Sequence, residues 1–417
     1  MVVRLSGPAA GTALTALCGQ LPPPRRAARR RLWNPDGGDD LDDGLVLWFP
    51  GPHSATGEDV AELHLHGSRA VLAAVMAALR RLGLRLAEPG EFTRRAFLNG
   101  KLDLVQAEAI ADLTAAETEA QRRQALRQLE GALGDLYRDW ARRLSRLLAH
   151  LEAVIDFPDE DLPPEIEAQA SVETAALAAE ITAHLDDGRR GERLRDGINV
   201  AIVGPPNAGK SSLLNRLARR EAAITSPIAG TTRDVVEVVI DLGGYPVVLA
   251  DTAGLRESAD IIEQEGLRRA LARADAADLR LFVFDASRPQ DAAGAAAWPG
   301  ADTILVANKV DLVRDRCVAP ALPVSSLTGE GIDRLVAALA ERVAAGYRIE
   351  APALTRARHR EALEEALAAL RRAQDAPLPE LRAEDLRLAW RCLGRIVGAV
   401  DVEDLLDLIF AEFCIGK

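Results

Sequence analysis

Gly204-Pro205-Pro206-Asn207-Ala208-Gly209-Lys210-Ser211 is the stretch on which the reading of this chain turns. Its GxxxxGK[ST] spacing directly follows the apolar run Ile198-Asn199-Val200-Ala201-Ile202-Val203. It opens the helical run Ser212-Leu213-Leu214-Asn215-Arg216-Leu217. Strand, glycine-rich loop and helix in that order make a phosphate cradle, because backbone N–H groups and a helix N-terminus surround the anion. Nucleotide contacts are expected from Asn207, Ala208, Gly209, Lys210, Ser211 and Ser212. Lys210 is placed to reach the β- and γ-phosphates, and the Ser211 hydroxyl to ligate Mg2+.

Three more elements follow in order. Gly230-Thr231-Thr232-Arg233-Asp234 supplies a threonine, Thr232, for Mg2+ and the γ-phosphate, and nucleotide contacts are also expected from Ser226, Pro227, Ile228 and Ala229 just ahead of it. Asp251-Thr252-Ala253-Gly254 follows the apolar run ending at Ala250; its Asp supports Mg2+ through water, and the Gly254 N–H can sense the γ-phosphate. Asn308-Lys309-Val310-Asp311 follows the run ending at Val306. Asp311 can accept from both the guanine N1–H and the exocyclic amine, which adenine cannot offer. Ser325-Ser326-Leu327 stands where a loop contacting guanine O6 belongs. Together these specify GTP as the ligand. Hydrolysis is harder to read, because Leu255 occupies the place where Ras-like proteins carry a water-positioning Gln. The polar candidates downstream are Arg256, Glu257, Asp260, Glu263 and Glu265.

Working outward, short apolar runs alternate with helical stretches over residues 197–346, which predicts an α/β domain with a mostly parallel sheet. Residues 1–103 read as a small α+β domain. Leu45-Val46-Leu47-Trp48-Phe49 is expected as a buried strand stopped by Pro50-Gly51-Pro52, and Val71–Leu82 as a helix capped by Gly83. Residues 104–196 and 347–417 are Ala-, Leu-, Glu- and Arg-rich helix. Leu126, Leu129, Leu133, Leu136, Trp140, Leu144, Leu147 and Leu151 predict one apolar stripe that breaks at Phe157-Pro158, with a second helix over 165–185. Helices are also expected over 355–372 and 382–413. The fold class is therefore multidomain, with an α/β P-loop domain inserted into one all-α helical domain, since two separate half-bundles would each leave an apolar face uncovered.

Among 417 residues, 51 are basic and 63 acidic, so 51 − 63 = −12, which excludes a globally basic nucleic-acid binder. Cys18, Cys317, Cys392 and Cys414 show no CxxC or Cys/His spacing, so a disulfide framework and a structural zinc site are not expected and a reducing cytoplasm fits. No run of 18 apolar residues suggests a membrane span, and the first residues do not form a secretory signal. His64 and His66 alternate on one strand and read as structural. The arginines of Arg25-Arg26-Ala27-Ala28-Arg29-Arg30-Arg31 read as an exposed surface strand, with a tRNA contact as the alternative.

Over nearly its whole length the chain resembles the MnmE (TrmE) family of tRNA-modifying GTPases. The resemblance rests on Val3-Arg4-Leu5-Ser6-Gly7, Leu47-Trp48-Phe49-Pro50-Gly51-Pro52, Pro89-Gly90-Glu91-Phe92-Thr93, Arg95-Ala96-Phe97-Leu98-Asn99-Gly100-Lys101 and Ile155-Asp156-Phe157-Pro158-Asp159-Glu160. It also rests on the nucleotide motifs and the ending Cys414-Ile415-Gly416-Lys417. It implies a K+ ion held by Asn207, Ser226, Ile228 and Thr231 across a pair of G domains, with Glu263 orienting the attacking water. It implies a tetrahydrofolate derivative, 5-formyl- or methylene-tetrahydrofolate, bound through Arg4, Glu62, Lys101 and Lys417, and a site role for Cys414. It further implies a homodimer that joins the FAD-dependent partner MnmG (GidA) in a heterotetramer. Together they would add an aminomethyl or carboxymethylaminomethyl group to a tRNA wobble uridine. Family members begin with a further stretch carrying a Thr-Pro-Pro-Gly-Arg-like segment, whereas Met1 stands almost on top of the Val3–Gly7 element; this departure bears on the first strand and its dimer contact. The rival readings are an Era-like ribosome-assembly GTPase, which should carry a basic RNA module such as a KH domain, and a switch dimer without modification activity.

Overall fold

The computed structural model describes residues 1–37, 39–156, 165–220, 237–251, 275–297, 302–313, 320–348, 351–400, 406, 409–410 and 413. By its internal contacts the chain divides into two units. One comprises Met1–Ala111, Gln128–Leu148 and Arg387–Lys417, and the other Asp112–Arg127 and Ala149–Leu386.

The first unit opens with β1 (Val2–Ser6), α1 (Ala10–Cys18), β2 (Ala28–Trp33), β3 (Asp40–Phe49), β4 (Val60–His64), α2 (Arg69–Arg81) and α3 (Glu91–Leu98). The four strands form an antiparallel sheet in the order β1-β4-β3-β2, and β1 pairs with β4 from Val2↔His64 to Ser6↔Val60. One face carries Leu5, Leu32, Val46, Trp48, Ala61 and Leu63 against Leu14 and Leu17 of α1 and Val75 and Leu79 of α2. The expected buried strand is therefore corrected. Along Leu45–Phe49 only Val46 and Trp48 are buried and Leu45 is 45% exposed, because an antiparallel sheet covered on one side alternates inward and outward residues. Helix α2 ends as expected: Gly83, at φ +83°, donates to the Arg80 carbonyl and Leu84 to that of Leu79, a paired closure that satisfies two orphan carbonyls.

Helices α4 (Leu104–Ala115), α5 (Glu119–Leu129) and α6 (Ala132–Asp156) follow. The single stripe is split, since Gly131 takes φ +98° between α5 and α6. The buried positions are Ala125, Leu133, Tyr137, Trp140, Leu144, Leu147 and Leu151, so Leu126, Leu129 and Leu136 lie at its margin. The expected break at Phe157-Pro158 lies outside the described residues. Helix α7 (Glu165–Leu185) matches the expected 165–185, and α8 (Arg190–Asp196) is a short helix directly ahead of the second sheet.

That sheet is built from β5 (Ile198–Val203), β6 (Glu237–Leu242), β7 (Tyr245–Asp251), β8 (Leu279–Asp285), β9 (Asp302–Asn308) and β10 (Leu322–Pro323), with α9 (Lys210–Arg220) following β5 and α10 (Ile332–Tyr347) following β10. The order is β10-β9-β8-β5-β7-β6, parallel except for β6 against β7. Alternate residues serve opposite faces. Val200, Ile202, Leu281 and Val283 pack with Leu213, Leu217, Leu335 and Leu339, while Val203, Phe282, Phe284 and Ala307 form a second core. Burial on both faces explains the continuous apolar runs. The chain then enters α11 (Ala357–Asp375) and α12 (Pro379–Val397). Helices α7 and α11, one on each side of the sheet in sequence, pack side by side.

The expected helix over 382–413 stops at Val397, where Gly398 takes φ +83° and Ala399 donates to the Gly394 carbonyl. Leu406, Ile409, Phe410 and Phe413 then pack against Leu104, Ala107 and Phe97. Gly90, at φ +67°, fits there because a Cβ would come within 2.9 Å of the Phe410 carbonyl oxygen.

Candidate nucleotide site

Strand β5 lies between β7 and β8 although β6 and β7 follow it in the chain, so the strand order reverses there, and crevices at such points take ligands at the strands' carboxyl ends. The loop leaving β5 needs its glycines. Gly204 takes φ +140°, and a Cβ on it would come 2.0 Å from the Val283 carbonyl oxygen; Gly209 takes φ +88°, with the Asn308 amide nitrogen 2.4 Å from where its Cβ would be. Asn207 between them is left-handed at φ 62°. Lys210 is buried and donates to the carbonyls of Gly204 and Pro205, both at 2.9 Å, which holds its ammonium group over the loop. Ser211 and Ser212 are exposed on the first turn of α9.

The segments expected to read the base meet this loop through one amide. Asn308, 1% exposed at the end of β9, donates from Nδ2 to the Ala208 carbonyl at 2.8 Å. Its Oδ1 accepts from both the Ser326 N–H and the Ser326 hydroxyl at 3.0 Å. Ser325, fully buried, donates its hydroxyl to the Asp311 carboxylate at 2.5 Å. That bond leaves the rest of the carboxylate edge available for two further donors. Lys309, at φ 63°, spans the site, donating to the Asn207 carbonyl at 2.6 Å and to Asp285 at 2.8 Å. Asp285 was not singled out in the sequence, although it ends the run Leu281–Phe284 that marks its strand. Burial raises its carboxyl, but hydrogen bonds from Lys309 and Ser287 outweigh this and hold it below the usual carboxylate range.

In the first unit the structure brings together two of the expected charges, Arg4 and Glu62. Arg4 and Glu62 face each other in the β1–β4 register and pair at 2.8 Å, and the Arg4 guanidinium lies 5.6 Å from the Phe92 ring centre. His64 is 3.5 Å from Glu62. Lys101 donates to the Pro52 carbonyl at 3.3 Å. Nearby in sequence, Arg95 joins Glu58 to Glu91, and Ser6 donates to Glu58 at 2.9 Å. His66 pairs with Asp42, and among the described residues no group of three or more His, Cys, Asp or Glu could hold a metal ion. The arginine cluster is partly neutralised: Arg29 pairs with Asp43 and Arg31 with Asp40.

The family description "GTP-binding protein TrmE N-terminus" matches residues 1–101 and "MnmE helical domain" matches residues 104–414. The chain belongs to the MnmE family. Proteins named tRNA modification GTPase MnmE from Rhodospirillum rubrum, Paramagnetospirillum magneticum and Parvibaculum lavamentivorans are 62%, 61% and 60% identical to it. Each alignment covers 100% of this chain and 96% of the relative. Among solved structures, the G domain of the T. maritima FeoB iron transporter is 27% identical, covering 36% of this chain and 99% of that one, with a TM-score of 0.26.

For this MnmE-family chain the structure thus brings together Asn207, Ala208, Gly209, Lys210, Asn308, Lys309, Asp311, Ser325, Ser326 and, on the neighbouring turn, Leu327. The backbone of Asp251 ends β7 opposite Ile202. Ser226, Pro227, Ile228, Ala229, Gly230, Thr231, Thr232, Thr252, Ala253, Gly254, Leu255, Glu263, Cys414 and Lys417 lie outside the described residues. No described helix is long and apolar enough to cross a membrane.

Proposed function

We propose that the chain binds and hydrolyses GTP and uses that cycle in modifying the wobble uridine of tRNA. The observation that carries the nucleotide half is the Asn308 hub, which ties the phosphate loop at Ala208 to the base-reading loop at Ser326, with Ser325 fixing Asp311. Such a hub sets phosphates and base at one spacing. The tRNA half rests on membership of the family and on relatives carrying that name over their full length.

In this reading Mg2+ is held by Ser211 and Thr232, and K+ by Asn207, Ser226, Ile228 and Thr231. These ions supply charge stabilisation at the phosphates. Glu263 orients the water that Leu255 cannot, while Lys210 and the loop N–H groups hold the γ-phosphate. The Arg4–Glu62 pair, with Lys101 and Lys417, takes the tetrahydrofolate derivative that donates one carbon: the carboxylate accepts from pterin N–H groups and the bases meet the acidic tail. Residues 1–103 form the folate and dimerisation domain, and 197–346 a G domain inserted between the helical segments 104–196 and 347–417. The chain works as a cytoplasmic homodimer with the FAD-dependent MnmG, and Cys414 contributes to the modification site.

The test is Asp311→Asn assayed in potassium and in sodium at equal ionic strength. Wild type should hydrolyse GTP much faster in potassium, increasingly so as protein concentration rises. The variant should lose GTP affinity by roughly 10²-fold and gain xanthine nucleotides, because the amide now offers a donor where guanine also donates. Unchanged GTP affinity would overturn the guanine assignment, and equal rates in both salts would overturn the potassium assignment.

A further inference from the structure

The base-reading loop is anchored at a second point that no nucleotide motif includes. Arg216 lies on α9, the helix that opens at the phosphate loop. Its guanidinium reaches across to the loop after β10, where Nε donates to the Ser326 carbonyl at 3.0 Å and Nη2 donates to the Leu327 carbonyl. It runs alongside Gly329, whose Cβ position is 3.8 Å from the Arg216 Cζ. The turn has its own closure, with Ser325 N–H donating to Glu330, Gly329 N–H to Ser325, and Thr328 N–H to the Ser325 hydroxyl. Packing does not fix its tip, since Leu327 is 79% exposed.

The two carbonyls determine where the intervening donor points. A trans peptide is planar and sets its N–H opposite its C=O. Drawing the Ser326 carbonyl toward α9 therefore turns the Leu327 N–H away from α9. The Ser326 N–H is already taken by Asn308 and the Thr328 N–H by Ser325. Among the described residues no acceptor takes the Leu327 N–H. A fixed donor with no protein partner, beside Asn308 and Asp311, suits a base carrying an oxygen at its 6-position and disfavours one carrying an amine there.

We propose that Arg216 is a positioning residue for guanine recognition: by holding the Ser326 and Leu327 carbonyls to helix α9, it aims the Leu327 N–H at the 6-oxygen of the base. The inference rests on the nucleotide reading above. It assigns the 6-position to Arg216 acting through the loop, and leaves the 1- and 2-positions to Asp311.

Three diphosphates separate these roles. GDP has both the 6-oxygen and the 2-amine, IDP keeps the oxygen and lacks the 2-amine, and 2,6-diaminopurine riboside diphosphate has an amine in place of the oxygen. Their affinities are measured by competition against a fluorescent GDP for wild type, Arg216→Ala, Arg216→Lys and Arg219→Ala, with far-UV circular dichroism to check folding. Arg216→Ala should weaken GDP and IDP alike, by roughly 10-fold, the scale of losing one well-placed bond to the base. The diaminopurine nucleotide should change little, so the GDP-to-diaminopurine ratio falls while the GDP-to-IDP ratio holds. Arg216→Lys, which can reach one carbonyl, should recover part of the first ratio, and it serves as the test should the alanine variant unfold. Arg219→Ala, an exposed neighbour on the same helix, should change nothing. An equal loss for all three nucleotides would mean that Arg216 only supports the fold, and unchanged ratios in a guanine-preferring protein would overturn the inference. A wild type with no preference for GDP would overturn the nucleotide reading itself, and this inference with it.

Discussion

The polar cluster around Asn308 and the one around Arg4 and Glu62 are built from opposite materials. Around Asn308 the partners are amides, hydroxyls and backbone carbonyls, and the central side chain is 1% exposed. Around Arg4, Glu62, Glu58, Arg95 and Glu91 the partners are carboxylates and guanidiniums, with side chains 13–35% exposed. A buried neutral hub has few alternatives once made, so it fixes geometry and responds weakly to salt. A half-exposed ionic cluster sits in a higher effective dielectric, where each pair contributes little stability and is screened, yet its charges remain available to a ligand. The first cluster holds loops in register, and the second presents charge.

The sharpest way to break that contrast is Asn308→Ala. The variant removes the donor to Ala208 and the acceptor for Ser326 together, leaving two backbone groups without partners in a closed space. Guanine nucleotide affinity should fall by roughly 10²-fold, with a loss of folding stability of about 1–3 kcal/mol. Isothermal titration at low and high salt measures it, and the fold-loss should be the same in both. A loss that lower salt largely restores would show that the hub works through charge and would erase the distinction.

A smaller effect is expected from Glu62→Gln. Titrated with 5-formyl-tetrahydrofolate, the variant should bind roughly 10-fold more weakly, since a charge-assisted acceptor becomes a neutral amide. That loss should shrink as salt rises. Stability should change by less than about 1 kcal/mol, because the Arg4 side chain is 35% exposed and surface pairs contribute little. Nucleotide affinity should be unaffected. Full folate affinity in the variant would remove Glu62 from the site.

Why one cluster was legible in the sequence and the other was not follows from the same contrast. A phosphate loop demands glycine where Gly204 nearly touches Val283 and where Gly209 meets Asn308, so chemistry and spacing are written together in a short stretch. The strands followed because burial on both faces makes unbroken apolar runs. Strand β6 was not singled out, since an edge strand of Glu237–Leu242 lacks that signature. The stripe over 126–151 misled where Gly131, at φ +98°, interrupts the helix between Leu129 and Ala132, a break that helical periodicity does not register. The ionic cluster joins Arg4 to Glu62 and Glu58 to Arg95, partners made neighbours by strand register and not by local spacing. Only the family resemblance gave Arg4 and Glu62 a site role, and nothing gave one to Glu58, Arg95 or Asp285.

The smallest expected effect is acid sensitivity, and it belongs to the ionic cluster. Glu91 begins helix α3, where the unpaired N–H groups of the first turn favour a negative charge. Its carboxylate accepts from Arg85 at 2.6 Å, from Arg95 at 2.6 Å and from the Glu88 N–H at 2.8 Å. The Arg85 hydrogen bonds first, with those of Arg95 and Glu88 behind them, hold its pKa down to about 2 against burial, from an ordinary 4.5. The sign follows from proton uptake. The unfolded carboxyl takes its proton near 4.5 and the folded one near 2, so in that window the unfolded chain binds more protons and acid favours unfolding. The contribution is complete above about pH 5 and is lost as pH falls through about 2. Because Arg85 is 62% exposed, solvent screening reduces it to the order of 1 kcal/mol. Urea unfolding at pH 6 and pH 3 should therefore show wild type losing more than half of that contribution, roughly 0.5 kcal/mol or a little more, relative to Glu91→Gln between the two, with the variant already weaker at pH 6. The comparison is of wild type with variant, so other carboxylates that titrate in the same window cancel. Identical pH dependence in the two proteins would mean that Glu91 is screened as fully when folded as when unfolded, and that its three partners hold geometry without holding charge.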